Sequence, residues 1–196
     1  MKNIKTFENF NNQDIFDYIR TDDIESVKNY IDAGYDINKQ DNFGYTPLMY
    51  AIHNNKIEIV KLLLNAGADI NKQAINGYTA LILSAFYNNI EIVKFLLNAG
   101  VNIDKQNNSG HTALIYAAYN NNREIVELLL DYGADEFILD DNNKSFYDYL
   151  NDENKEYFTQ NYPTSVYNAI YHNYKKSFTE FVKDYNIKII KYINYE

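Results

Sequence analysis

Apolar positions along this chain fall into short helical patterns separated by polar, turn-forming stretches, and the arrangement repeats. The clearest pattern reads KIEIVKLLLNAG at residues 56–67, NIEIVKFLLNAG at 89–100 and NREIVELLLDYG at 122–133. Ile59, Val60, Leu62, Leu63 and Leu64 give a broad apolar face, and Ile92, Val93, Phe95, Leu96 and Leu97 repeat it. Ile125, Val126, Leu128, Leu129 and Leu130 repeat it again. Such a face is too wide for an isolated surface helix, so it predicts burial against a partner helix and against neighbouring copies. Gly67, Gly100 and Gly133 follow as helix-ending residues.

A second, shorter pattern precedes each of these. It opens with GYTPL at Gly44–Leu48, GYTAL at Gly77–Leu81 and GHTAL at Gly110–Leu114, 33 residues apart. Thr46, Thr79 and Thr112 predict N-caps, and Pro47 suits the first helical position, where a missing N–H is no loss. Leu48, Ala51 and Ile52, with their counterparts 33 and 66 residues on, supply the helical spacing. The small residues Ala51, Ser84 and Ala117 admit a close neighbour. Asn-rich corners at 54–55, 88–89 and 120–122 predict a left-handed residue where this helix stops. A fixed period of this length means one supersecondary unit stacked on copies of itself.

The unit resembles the ankyrin repeat. The resemblance is carried by D-x-x-G-x-T-P-L at Asp41–Leu48, E-I-V-K-x-L-L at Glu58–Leu64 and G-A-D-I-N at Gly67–Asn71. It implies an all-α solenoid of antiparallel helix pairs with β-turn or loop tips. Full repeats are expected at 41–73, 74–106 and 107–139, with an N-terminal capping repeat at 8–40 and a decayed copy at 140–160. In that copy Asn143 stands for Gly, Ser145 for Thr and Tyr147 for Leu. The ankyrin-repeat domain then spans 8–160. One departure is that the family's His after T-P-L is Met49, Ile82 and Ile115 here, which removes a polar tie and predicts a small loss of stability.

Residues 161–196 form a C-terminal extension. Pro163 interrupts the chain, and Val166, Ile170, Tyr174, Phe178, Phe181, Val182 and Tyr185 then make a helical stripe. The reading adopted is a cap that covers the open end of the stack, since an end repeat otherwise leaves an apolar face wet. Charge agrees, with −7 over 131–156 against +2 over 165–196. A partner-binding helix, or an enzyme or toxin activity in this tail, is the alternative, though some 35 residues without catalytic spacing are a poor site for chemistry.

Composition removes other classes. The chain has 196 residues, 46% hydrophobic, with net charge −9, a balance typical of a folded protein. It contains no Cys, which excludes disulfides, thiolate metal sites and thiol nucleophiles and fits a reducing, cytoplasmic setting. No apolar run is long enough to span a membrane, and the N-terminus lacks the apolar core of a secretory signal. His53, His111 and His172 stand apart, no phosphate loop occurs, and acidic pairs such as Asp140-Asp141 have no catalytic partner by spacing. Neither metal nor cofactor nor catalysis is expected. Repeats 41–73 and 74–106 are neutral and 107–139 carries −4, which disfavours nucleic acid and favours a basic or neutral protein partner.

The resemblance places partner contacts on the turn tips and on the concave face made by the first helices. By position these are Phe43, Tyr45, His53, Tyr78, Phe86, Tyr87, His111 and Tyr119, with Gln40, Gln73 and Gln106 before the tips. The set is rich in rings, the usual anchors of protein interfaces. The twenty tyrosines also follow from AT-rich codon usage, so a ring alone is not evidence of a site. Phe43, Ile75 and Phe86 nevertheless occupy positions that the fold does not require to be apolar. Replacing Phe86 and Tyr87 together by Ala is expected to weaken partner binding and to cost less than about 1 kcal/mol, as for surface sites. The expected function is a monomeric protein-interaction module in the cytoplasm, or in a host's cytoplasm if the chain is a microbial or viral effector.

Overall fold

The computed structural model describes residues 14–165, and every regular element among them is a helix. The first pair is α1 (Ile15–Arg20) and α2 (Ile24–Asp32), and the second is α3 (Pro47–His53) and α4 (Ile57–Asn65). Then come α5 (Ala80–Phe86) with α6 (Ile90–Asn98), α7 (Ala113–Tyr119) with α8 (Arg123–Asp131), and α9 (Phe146–Tyr149) with α10 (Asp152–Asn161). Connections of two or three residues force each pair to run antiparallel. Residues 8–13 of the expected capping repeat and 166–196 of the expected extension lie outside the described residues.

Local chemistry sets the helix ends. Thr46, Thr79 and Thr112 accept hydrogen bonds from the N–H of Met49, Ile82 and Ile115 at 3.2, 3.1 and 3.2 Å. Asn55, Asn88 and Asn121 take positive φ of 55°, 61° and 53° at the corners, where an amide side chain tolerates the left-handed region. In the fifth pair Ser145 engages Asp148 through both its N–H (2.8 Å) and its hydroxyl (2.9 Å).

The first helices α1, α3, α5, α7 and α9 touch one another in succession, more closely than the second helices do. Ala51, Ser84 and Ala117 are fully buried at this seam, and their small size permits the approach. The closer row is the inner side of a curved stack. The core runs between the rows as a continuous strip through Leu48, Leu81, Leu114, Ile59, Ile92, Ile125 and Leu129. Met49, Ile82 and Ile115 also lie in this strip. Where a polar tie is missing, these side chains contribute apolar burial instead, about 1.5–3 kcal/mol each.

Fourteen-residue connections at 33–46, 66–79, 99–112 and 132–145 carry the tips. Each tip closes on itself; for example, the Asp41 N–H donates to Tyr45 O at 3.0 Å and the Gly44 N–H to Asp41 O at 2.9 Å. Successive tips are joined by main-chain bonds: Ile75 N–H to Phe43 O at 3.0 Å, Asn108 N–H to Asn76 O at 3.1 Å, and Asp141 N–H to Ser109 O at 3.2 Å. Gly77 is required twice here. Its φ is +79°, and a Cβ would stand 2.7 Å from the Asn108 nitrogen.

Candidate protein-interaction surface

The glutamines before the tips are scaffold. The Gln40 side-chain amide donates to Gly44 O (2.6 Å) and to Gln73 O (3.0 Å). Gln73 does the same to Gly77 O (2.9 Å) and Gln106 O (3.1 Å), and Gln106 to Gly110 O (2.7 Å) and Leu139 O (3.1 Å). Each spends both amide hydrogens on its own tip and the next. A parallel ladder runs deeper in the loops, where Asn38, Asn71 and Asp104 accept from the N–H of Asp69, Asn102 and Asp135 at 2.7, 2.8 and 2.9 Å.

The inner helices carry a row of rings that crosses the whole stack. Phe16 on α1 meets Tyr50 on α3 edge-on, with centroids 5.3 Å apart, and Tyr50 is 6.4 Å from His53. His53 Nδ1 and the Tyr87 hydroxyl are 2.6 Å apart. Tyr87 meets Phe86 at 5.0 Å, and Phe86 meets Tyr116 at 5.5 Å and Tyr78 at 6.4 Å. Tyr78 and Tyr116 share a short hydroxyl–hydroxyl hydrogen bond, and Tyr116 also accepts from the Asn107 amide at 3.1 Å. Beyond Tyr116 come His111 at 5.1 Å, Tyr149 on α9 at a further 5.9 Å, and Tyr119 at 5.9 Å from Tyr149.

The row divides into a buried part and an open part. Tyr116 is buried, and burial together with the bond to Tyr78 pushes its phenol well above the usual tyrosine range. Tyr45 and Tyr78 are half-buried against the core. His53, Phe86, Tyr87 and Tyr119 face solvent. Tyr119 is 61% exposed, and at the tips Phe43 and Ile75 are 73% and 71% exposed on adjacent turns. Phe86 and Tyr87 are about two-fifths exposed because each leans on its neighbours. Removing both therefore costs more than the surface value, about 1–2 kcal/mol from lost ring pairs alone. Partial burial raises the Tyr87 phenol, with smaller contributions from Tyr45 and Tyr78.

His111 sits differently from His53. Its side chain is only 20% exposed, and its Nε2 lies 3.1 Å from Asp140 Oδ2. Asp140 is buried and also accepts from the N–H of Asn142 (2.8 Å) and Lys144 (2.9 Å) and, through a short bond, from the Tyr149 hydroxyl. Burial alone raises this carboxyl. The hydrogen bonds from Tyr149, Lys144, Asn142 and His111 outweigh burial and hold it below the usual carboxylate range. Burial and the same contact push the Tyr149 phenol up to about 12. The ring points Nε2 at the carboxylate, and Nδ1 is buried with no hydrogen-bond partner among the described residues.

Sequence spacing alone missed Tyr50, Tyr116 and Tyr149. They share one position of the 33-residue period, aromatic in three copies out of four, but they lie inside a helical pattern read as core. That recurrence was the available signal. Asp140 was read with Asp141 as an acidic pair without a catalytic partner, and its burial depends on Tyr149 of its own copy and on His111 arriving from the preceding repeat.

Among the described residues no group of three His, Asp or Glu is placed to hold a metal ion, and no helix is long and apolar enough to cross a membrane. Comparison with curated proteins gives no match. A family model described as ankyrin repeats in three copies matches residues 15–107, 66–140 and 99–191, together most of the chain. The helix pairs, the stacked tips and this match agree, and the chain belongs to the ankyrin-repeat family, whose repeats are generally protein-interaction modules.

Proposed function

We propose that this protein is a non-catalytic binding module that holds a protein partner against the inner ring row and the first tips. The observation that carries the reading is the exposure of Phe43, Ile75 and Tyr119 at positions where the fold asks for nothing apolar. Each has a polar residue at a matching position elsewhere in the period: Asn76 and Ser109 for Phe43, Asn42 and Asn108 for Ile75, and His53 for Tyr119. Exposed rings beside amides are the usual chemistry of interface anchors. The partner sits in the cytoplasm, a setting supported by the absence of Cys, and in a host's cytoplasm if the chain is an effector.

The same reading assigns 8–160 to the repeat domain and 161–196 to a cap on its open end. The supports are charge and continuity. Residues 14–165 carry 23 acidic and 11 basic residues, a net −12, while 166–196 carry +2. The family match also continues to residue 191.

The test is affinity capture from the native cell with the full chain and with the Phe43→Ser/Tyr119→Ala variant. A partner retained by the natural protein and lost by the variant, at unchanged melting temperature, supports the reading. Identical captured sets contradict it.

A further inference from the structure

We propose that the partner presents an extended segment bearing arginine or lysine, whose cations lie on the exposed inner rings. This rests on the protein-binding reading above and adds the chemistry of what is bound.

The inner helices α3, α5 and α7 and the tips at 41–45, 74–78 and 107–111 contain no Lys or Arg, although the described stack as a whole carries −12. Cations are instead placed on the outer row and paired there: Lys61 with Glu91 at 3.2 Å, Lys94 with Glu124 at 3.4 Å, and Arg123 with Glu153 at 2.9 Å. Cations reach the ring row only at its ends, Lys39 over Phe16 and Lys144 over Tyr149; an acidic body whose central rings lack them attracts a basic segment there and repels an acidic one.

The molecule already makes the proposed contact where it has both halves. Arg123 lies 4.2 Å over Tyr157, Lys61 4.9 Å over Phe95 and Lys144 5.2 Å over Tyr149. Among the described residues no Lys or Arg covers Phe86, Tyr87 or Tyr119. These rings keep 41%, 40% and 61% of their surface in solvent, and an aromatic face attracts a cation through its quadrupole.

Shape supplies a first seat. A groove of about 500 Å³ opens between the corners of the second and third helix pairs, walled by His53, Tyr87, Asn55, Asn89 and Glu91. It offers a ring face and a carboxylate half open to solvent, although Glu91 also holds Lys61 on its outer side. A guanidinium from outside can stack on Tyr87 and donate to Glu91, the pairing its flat fork favours.

The test uses fluorescence anisotropy with the full chain and three 12-residue peptides of repeating Arg-Gly-Ser, Glu-Gly-Ser or Leu-Gly-Ser. The Arg peptide is expected to bind about tenfold or more tighter than the other two. Tyr87→Ala/Tyr119→Ala is expected to weaken it by about tenfold, while Tyr35→Ala/Tyr132→Ala, which removes two exposed rings of the outer row, leaves it within about twofold. Melting curves confirm that both variants are folded. Preference for the Glu or Leu peptide, or no binding of any, overturns the cationic partner, while a ring-dependent protein from the capture experiment leaves the binding reading intact. Equal loss in both variants, or none in either, assigns the attraction to net charge and overturns the inner-ring site. If the captured partner is also insensitive to the inner rings, the binding reading falls with it.

Discussion

The glutamine ladder and the inner ring row both follow the 33-residue period, yet they serve opposite ends. Gln40, Gln73 and Gln106 precede the tips of all three full repeats, with Leu139 before the decayed fourth tip, and each amide is consumed by the backbone of its own tip and the next. The positions of His53, Phe86, Tyr87 and Tyr119 change from copy to copy and leave rings in solvent. Identity across repeats therefore marks what holds the stack together, and variation marks what it can offer to something else. The contrast is physical. A repeated backbone presents the same carbonyl at the same place, so one side chain solves the problem each time. A partner need not repeat.

The largest expected effect breaks the scaffold side of this contrast. Gly77→Val places a branched side chain at φ +79° and against the Asn107–Asn108 backbone, 2.7–2.8 Å away. A loss of about 3 kcal/mol or more in urea unfolding is expected. A loss below about 1 kcal/mol would show that the tips do not need close stacking.

Next in size is Asp140, where the two sides of the contrast meet. Asp140→Ala strands the Asn142 and Lys144 N–H groups and the Tyr149 and His111 donors. It is expected to cost about 2–4 kcal/mol, several charge-assisted bonds being lost at once. The pH dependence follows from the two shifted groups. The Asp140 carboxyl is depressed in the fold, so its contribution is complete above the ordinary carboxylate value near about 3.9 and disappears as pH falls through the lower folded value. The Tyr149 phenol is raised to about 12, so its contribution is complete below about pH 10 and is lost as pH rises towards 12. Both changes should vanish from the pH–stability profile of Asp140→Ala. A profile identical in shape to that of the natural protein would refute the network.

A smaller effect is expected from Gln73→Ala. It removes two side-chain bonds and should cost about 1–2 kcal/mol while leaving partner affinity alone. Deleting residues 166–196 should lower the melting temperature by a few degrees if the tail covers the open end. Equal melting temperatures would remove the cap.

These regions also differ in how far the sequence revealed them. The Thr caps, the Asn corners and the glycines were legible because each is a local rule, decided by residues within one turn. Glutamine as a ladder was not legible, because the acceptor on the next repeat is a backbone carbonyl with no signature. Asp41 and Asp140 show the limit most clearly. They occupy the same tip position and bind the same two N–H groups, so spacing treats them alike. Asp41 stays partly open, whereas Asp140 is sealed by Tyr149 and His111. Tyr149 comes from the short helix of the same copy, and only the stacking brings His111. The ring row was hidden for a related reason: its links within a repeat, 50–53, 86–87 and 111–116, are joined into one row only by the contacts between repeats, 16–50, 53–87, 86–116 and 111–149.

The smallest expected stability effect is the most telling. Tyr119→Ala removes one 61% exposed ring with a single distant ring neighbour, and should change stability by no more than about 0.5 kcal/mol. Measured side by side, Tyr119→Ala and Gln73→Ala test the central claim that varied ring positions bind while repeated positions build. Urea unfolding and anisotropy with the Arg-Gly-Ser peptide should show stable but weakened binding for Tyr119→Ala, and lowered stability with unchanged binding for Gln73→Ala. If Gln73→Ala loses the peptide while Tyr119→Ala keeps it, the assignment of scaffold and site is wrong.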